Sequence, residues 1–214
     1  MDSVLALQAQ ANAPVDRFHL KCLVVEAYWL LNWIDNVLKR GVSNLDLYIS
    51  SPWPSSDSIY YLLPSEMYVS KTLVKLKIRF IGGVFIKVLH DVSLPKLKTL
   101  HLDWIQIEKR TFNKLLSSCH ALEELVLVNL KLLRDSWQPK PLPFTMSFDS
   151  LVEARLSFQE STEKTHETNL LMGIRNVKIL YLSDDTLEVL GHCREIIPVF
   201  NNLLHLTITT PYVQ

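Results

Sequence analysis

The sequence predicts an α/β solenoid, in which strand-and-helix units are stacked side by side, and two observations support this fold class. The first is a pattern of the form leucine-x-x-leucine-x-leucine that begins at Leu97 and again at Leu122. Its second and third leucines are two residues apart, which is the period of a strand buried on one face. The second observation is an apolar stripe at helical spacing between the two copies, at Phe112, Leu115, Leu116 and Cys119.

The same pattern recurs along the whole chain in eight copies. They begin at Val15, Val42, Leu73, Leu97, Leu122, Leu151, Val177 and Leu203. The spacings run from 24 to 31 residues, and most fall within the roughly 20 to 29 residues of leucine-rich repeats. The sequence therefore predicts one curved leucine-rich-repeat domain over residues 1–214. Its eight short strands form a parallel sheet on the concave side, and short helices cover the convex side.

Helices are expected at about residues 28–40, 109–118, 167–173 and 185–192. The first carries a helical apolar stripe, and Gly41 directly after it supplies a stop signal. Two proline-containing insertions, residues 51–66 and 131–149, are predicted to be loops and explain the longest spacings. The adjacent glycines Gly82 and Gly83 are predicted to form a turn.

Charge and cysteine content exclude several classes of function. The chain has 22 basic and 22 acidic residues, whereas a nucleic-acid or anionic-membrane binder shows a basic excess. The three cysteines, Cys22, Cys119 and Cys193, are odd in number and far apart, so buried free thiols in a reducing compartment are expected. The sequence also lacks a signal peptide and a membrane-spanning stretch. We therefore expect an intracellular protein, cytoplasmic or nuclear.

Catalytic and metal-binding patterns are missing from the sequence. The seven histidines are scattered, and no nucleophile elbow, phosphate-binding loop or dinucleotide-binding motif occurs. We therefore predict that the protein is not an enzyme and uses no cofactor and no metal.

Function is expected on the concave face, which consists of the strand residues that alternate with the buried leucines. Its members are Arg17, His19, Lys21, Asn44, Asp46, Tyr48, Lys75, Lys77, Arg79, Thr99, His101, Asp103, Glu124, Val126, Val128, Glu153, Arg155, Ser157, Ile179, Tyr181, Ser183, His205, Thr207 and Thr209. Within it we single out two patches, with residues beside and between them, as candidate partner-binding positions. The basic patch is Lys75, Lys77 and Arg79, and the apolar patch is Val126, Val128, Ile179 and Tyr181. These candidates are Lys75, Lys77, Arg79, Thr99, His101, Asp103, Glu124, Val126, Val128, Arg155, Ile179 and Tyr181.

Several segments of the chain resemble the leucine-rich-repeat region of plant F-box proteins of the F-box/FBD/LRR type. They are residues 13–22, 33–47, 62–78, 94–103, 115–127, 149–158, 176–190 and 200–208. The resemblance implies the target-recognition part of a subunit of a cullin-type ubiquitin ligase, in which an N-terminal F-box binds a Skp adaptor. Met1 falls where the family's repeats begin, and the FBD segment does not follow Thr210. Binding to a Skp adaptor is therefore not expected.

Three functions stay open at this point. The first is a protein-interaction module that binds an unidentified protein target without an F-box. The second is a fragment, or an incomplete gene model, of a full F-box subunit that selects targets for ubiquitination. The third is a sensor of a small molecule or an inositol phosphate, suggested by the basic residues Lys75, Lys77 and Arg79.

Overall fold

The computed structural model describes residues 13–23, 25–50, 63–86, 91–133, 148–159, 167–192 and 198–210. The strands in these ranges are β1 (Arg17–Cys22), β2 (Asn44–Ser50), β3 (Lys75–Ile86), β4 (Thr99–Glu108), β5 (Glu124–Leu133), β6 (Glu153–Phe158), β7 (Ile179–Ser183) and β8 (His205–Thr209). The helices are α1 (Ala27–Lys39), α2 (Ser65–Tyr68), α3 (Lys109–Ser117), α4 (Glu167–Gly173) and α5 (Asp184–His192).

The eight strands form one parallel sheet in sequence order, β1 to β8, which confirms the predicted solenoid. Equivalent positions of successive repeats lie side by side, so that Leu76 pairs with Leu100, and Leu100 with Leu125. The carbonyl before each strand also accepts two backbone N–H groups from the next repeat. The Lys98 carbonyl, for example, accepts the N–H of Glu123 at 2.8 Å and that of Glu124 at 2.9 Å. This arrangement fixes the register of every repeat against its neighbour.

The core is a ladder of the second and third apolar positions of each repeat. In the six central strands nearly all of these side chains are sealed from solvent, at Leu45, Leu47, Leu76, Ile78, Leu100, Leu102, Leu125, Leu127, Ala154, Leu156, Leu180 and Leu182. The pattern changes at the C-terminal strand, where Leu206 is 51% exposed and Ile208 is 48% exposed. The ladder therefore stabilises the interior of the solenoid much more than β8.

The four predicted helices correspond to α1, α3, α4 and α5, within one residue at each end. Leu30, Ile34 and Val37 bury the apolar face of α1. Gly41 follows this helix with φ +76°, a conformation that glycine adopts without strain, as the stop signal predicted. The short helix α2 was not predicted, because its four residues are too few to show a helical period.

Three strands, β3, β4 and β5, run beyond the predicted repeat pattern through an irregular segment. We call this segment the corner; it contains residues 80–83 of β3, Trp104 of β4 and Asn129 of β5. Gly82 and Gly83 lie inside β3 rather than in a separate turn, so that prediction is wrong. Four residues of β3 face the single residue Trp104 of β4 where the pairing shifts between Arg79 and Val84. The extra residues bend the strand without ending it, as bulges do.

The corner has an unusual backbone in β4 and β5. Trp104 has φ +58° and Asn129 has φ +51°, at the same repeat position 25 residues apart. Asparagine tolerates this left-handed region, whereas a bulky residue there costs roughly 1–2 kcal/mol. After the corner β5 continues to Leu133, so the loop predicted from Lys131 begins later than expected. The rest of that loop, residues 134–147, lies outside the described residues.

The two cysteines among the described residues are free thiols. Cys119 is buried as predicted, and burial raises its pKa to about 12. Cys22 is only partly buried, which corrects the prediction for this residue. Cys193 lies outside the described residues.

Candidate functional site

The parallel register sorts the concave face into rows that cross the sheet. The middle row consists of His19, Asp46, Lys77, His101, Val126, Arg155, Tyr181 and Thr207. The candidate residues lie on five neighbouring strands, β3 to β7. Four strand spacings of about 4.8 Å make this roughly 19 Å, the length of about six extended residues. A protein segment of that length could contact all five strands.

At the N-terminal end of the face, the acidic side chain of Asp46 contacts two basic side chains. Arg79 Nη2 donates to Asp46 Oδ1 at 2.9 Å, and His19 Nδ1 lies 3.3 Å from Asp46 Oδ2. The Arg79 guanidinium and the Lys21 ammonium also lie 5.2 and 5.3 Å from the centre of the Tyr48 ring. The predicted basic patch is therefore partly neutralised at Arg79.

His101 and Asp103 lie at the centre of the face, on β4. Burial, together with the charges of Lys77 and Arg79, lowers the pKa of His101 to about 4. The imidazole is therefore neutral at pH 7. Burial raises the pKa of Asp103, although hydrogen bonds from the Asn129 side chain and the Trp104 backbone oppose that shift. The Asp103 carboxyl thus contacts both residues with positive φ at the corner.

The same centre holds three buried polar atoms without a hydrogen-bond partner in the described structure. They are Arg79 Nε, His101 Nε2 and Asp103 Oδ1. The side chains come from facing positions of adjacent strands, since Arg79 pairs with Asp103, and Lys77 with His101. A buried polar atom that lacks a partner costs about 1–3 kcal/mol. The three atoms together mark the part of the face where the fold leaves the most hydrogen-bonding groups without a partner.

Aromatic and charged side chains make up the C-terminal end of the face. The Arg155 guanidinium lies 4.4 Å from the centre of the Tyr181 ring, within the range of a cation–π contact. The Tyr181 ring is 5.7 Å from that of His205. The predicted apolar patch is less open than expected, because Val126 is only 7% exposed between His101 and Arg155.

The candidate residues thus fall into separate groups. Thr99 is also nearly buried, at 9% exposed, and its hydroxyl donates to Glu124 Oε2 at 3.1 Å. This hydrogen bond connects Thr99 to Glu124. In the pairing of β3 with β4, Lys77 lies beside His101 and Arg79 lies beside Asp103. Val128 and Ile179 are half-buried and lie on the C-terminal side of His101 and Asp103. Lys75 and Lys77 have no ion-pair partner among the described residues.

The strand alternation did not identify Trp104 or Asn129. Ile81 continues the alternation of β3 after Arg79, but the candidate positions ended at Arg79. Trp104 is 40% exposed and Ile81 is 41% exposed, and both lie where the pairing of β3 with β4 is interrupted. A signal was present in the sequence: Trp104 and Asn129 follow the face residues Asp103 and Val128 at the same repeat position. They continue the face at the corner.

Neither metal binding nor membrane crossing has support in the described part of the chain. No group of three or more His, Cys, Asp or Glu side chains could hold a metal ion there. None of the helices described is long and apolar enough to cross a bilayer.

Comparison with known proteins identifies relatives over the whole chain. A family model described as the LRR repeats of FBD-associated F-box protein At5g56370 matches residues 30–139. The F-box/LRR-repeat protein At5g41840 of Arabidopsis thaliana is 48% identical over 281 aligned residues, covering 100% of this chain and 52% of the relative. For At4g00320 of the same organism the identity is 44%, covering 98% of this chain and 52% of the relative. The F-box/LRR-repeat protein At4g14103, also of Arabidopsis thaliana, is 38% identical, and the alignment covers 97% of this chain and 67% of the relative.

The chain spans about half the length of the first two of these relatives. No solved structure matches it. The descriptions of the matched family model and of these three relatives all name leucine-rich repeats, in agreement with the eight-stranded parallel sheet.

Proposed function

We propose, because this chain belongs to the family of F-box/LRR-repeat proteins, that its concave face binds a protein target. The target would be one that a ubiquitin ligase of the F-box type selects for modification. The relatives supply the family name, and the ligase role is inferred from what that name implies. The repeats would then act as the target-recognition part.

The observation that carries this proposal is the alternation, along each strand, of buried side chains with side chains of the concave face. Leu100, Leu102, Leu125 and Leu127 are fully buried, so the ladder is committed to the core. The intervening side chains are charged, polar, aromatic or aliphatic and differ from strand to strand. Protein interfaces favour such a mixture, in which arginine and tyrosine are enriched. Arg155 and Tyr181, already stacked on each other, are the best example on this face.

A phosphate-sensing role has weaker support. Its motivation was the basic group Lys75, Lys77 and Arg79, but Arg79 is paired with Asp46 at 2.9 Å. Asp103 and Glu124 lie on the two strands that follow and would oppose a polyanion. A protein segment of mixed charge suits this arrangement better.

Differential capture of partners tests the proposal. The full chain, expressed with an affinity tag in Arabidopsis cells under proteasome inhibition, is compared with the double variant Arg155→Ala/Tyr181→Ala. The matched control is Arg175→Ala, an exposed arginine in the turn after α4, away from the sheet. Proteins retained by wild type and the control, but lost from the double variant, are candidate targets.

Three results decide the matter. A captured protein whose ubiquitinated forms accumulate under the inhibitor, and which binds the purified chain directly, supports the proposal. If wild type and the double variant capture the same proteins in the same amounts, the end of the concave face at β6 and β7 is not the target-binding surface. If a direct target is found that never carries ubiquitin, the ligase part is wrong while the binding part stands.

A further inference from the structure

We infer that the corner of the sheet at β3 and β4 is a recognition site for a short peptide segment, which places an apolar side chain on Trp104 and Ile81 and a neutral carboxamide, from asparagine or glutamine, over His101 and Asp103. This inference rests on the proposed function, since it names the chemistry of the segment that the concave face would bind.

The apolar half of the site comes from the interrupted strand pairing. Ile81 and Trp104 lie between the same two register pairs, Arg79 with Asp103 and Val84 with Ile105. They therefore belong to the same interruption of the pairing, and each leaves about two fifths of its surface open to solvent. An exposed aromatic side chain beside an exposed aliphatic one is a common anchor for a partner's apolar residue.

The backbone holds the tryptophan in place. Trp104 adopts φ +58°, a region that bulky residues avoid. Asp103 stabilises this conformation, because its carboxyl accepts hydrogen bonds from the Trp104 backbone and the Asn129 side chain. Strained conformations of this kind persist where the surrounding structure enforces them, and they cluster at functional positions. The ring is thus presented at a fixed place instead of being buried in the ladder.

The polar half of the site needs both a donor and an acceptor. Arg79 Nε is an unused donor, Asp103 Oδ1 is an unused acceptor, and His101 Nε2 is unused as well. A carboxamide offers a C=O and an NH₂ group side by side, so it can satisfy atoms of both kinds. These atoms are buried, so a ligand reaches them only when a side chain beside them moves. We assign that movement to Lys77, which lies in register with His101 and has no ion-pair partner among the described residues, while Arg79 keeps its pairing with Asp46.

Charge selects a neutral ligand group. The Arg79 guanidinium is already paired with Asp46, and His101 is neutral. A carboxylate or phosphate would meet the Asp103 carboxyl, whereas an ammonium group would meet Lys77 and Arg79. A carboxamide avoids both repulsions.

Selection from a random heptapeptide library on the immobilised full chain tests this inference. Enriched peptides should carry an apolar residue close to an asparagine or glutamine, and Kd is then measured by fluorescence polarisation. Trp104→Ala should raise Kd about tenfold or more, as truncation of an anchor does, and Asp103→Asn should raise it several-fold. The matched control is Trp29→Ala, which removes a tryptophan of similar exposure, 38%, on α1. It should change Kd by less than about twofold.

A second variant separates binding from folding. Trp104→Asn replaces the ring with a residue that suits positive φ, so it should fold at least as well as wild type and still lose the peptides. Changing the peptide's carboxamide to a carboxylate should weaken binding by a similar factor.

Three outcomes overturn the inference. They are an acidic consensus, no enrichment over the bare matrix, and peptides that bind Trp104→Asn as tightly as wild type. Peptides that depend on Tyr181 but not on Trp104 would overturn it while leaving the proposed function intact. The proposed function fails separately, if the cellular targets are insensitive both to Arg155→Ala/Tyr181→Ala and to Trp104→Asn.

Discussion

The substitution Leu125→Ala should destabilise the protein far more than the same substitution at Leu206. Leu125 is fully buried and lies in register between Leu100 and Ala154. Removing its side chain leaves a cavity that the neighbouring strands cannot fill, which costs about 2–5 kcal/mol. A typical domain has only about 5–15 kcal/mol of stability. Because each repeat contacts only its neighbours, the loss is felt on both sides of β5.

Leu206 is the matched control because it occupies the same repeat position in β8. It is 51% exposed, so truncation loses about half of the transfer free energy and closes off no cavity. The cost should be about 1 kcal/mol or less. Urea denaturation followed by circular dichroism gives both values from the shift of the midpoint. Equal losses at the two sites, or a smaller loss at Leu125, would refute the ladder as the source of stability.

Three further results are expected. Thr186→Val should lower the free energy of unfolding, measured by urea denaturation, by about 1–3 kcal/mol. The buried Thr186 hydroxyl accepts a hydrogen bond from the Phe158 N–H at 3.1 Å, and the variant leaves this N–H unpaired. An unchanged stability would contradict this role. The folded-state pKa of His101, about 4, lies below its unfolded value of about 6.5, so its contribution to stability is complete above pH 6.5 and is lost as the pH falls towards 4. Between pH 7 and 5 the urea midpoint should therefore fall less in His101→Gln than in wild type, and parallel curves would count against it. Amide hydrogen exchange should be fast in β8 and slow in β4 and β5, and uniform protection would show that the C-terminal strand is capped.

The fold was predictable because its main determinant is a local pattern. Each repeat places leucines two residues apart, and the same register follows in every parallel strand. The sequence could not show that β3 continues through Gly82 and Gly83. Two glycines favour a turn locally, but the neighbouring strand β4 continues beyond Asp103 and pairs with Val84 to Ile86. Pairing partners 21 residues away therefore decide the outcome against the local signal.

The candidate site was predictable in its positions but not in its contacts. Alternation along the strands identifies which side chains lie on the face. It cannot show that Arg79 reaches Asp46, because that contact depends on side-chain conformation across 33 residues of sequence. It also cannot show that Val126 is nearly buried between longer neighbours. Trp104 was missed because a tryptophan with positive φ is not expected from its residue type.

The ladder and the face are largely independent, and the corner is where they meet. Along the straight part of a strand, a face residue can change without moving a leucine, because successive side chains point to opposite sides. At the corner the backbone itself is unusual, and the Asp103 carboxyl contacts the Trp104 backbone and the Asn129 side chain. A change at Asp103 therefore alters the conformation of two repeats as well as the chemistry of the face. The side chains of the face can therefore vary freely over most of the sheet, whereas at this corner they are tied to the shape of the solenoid.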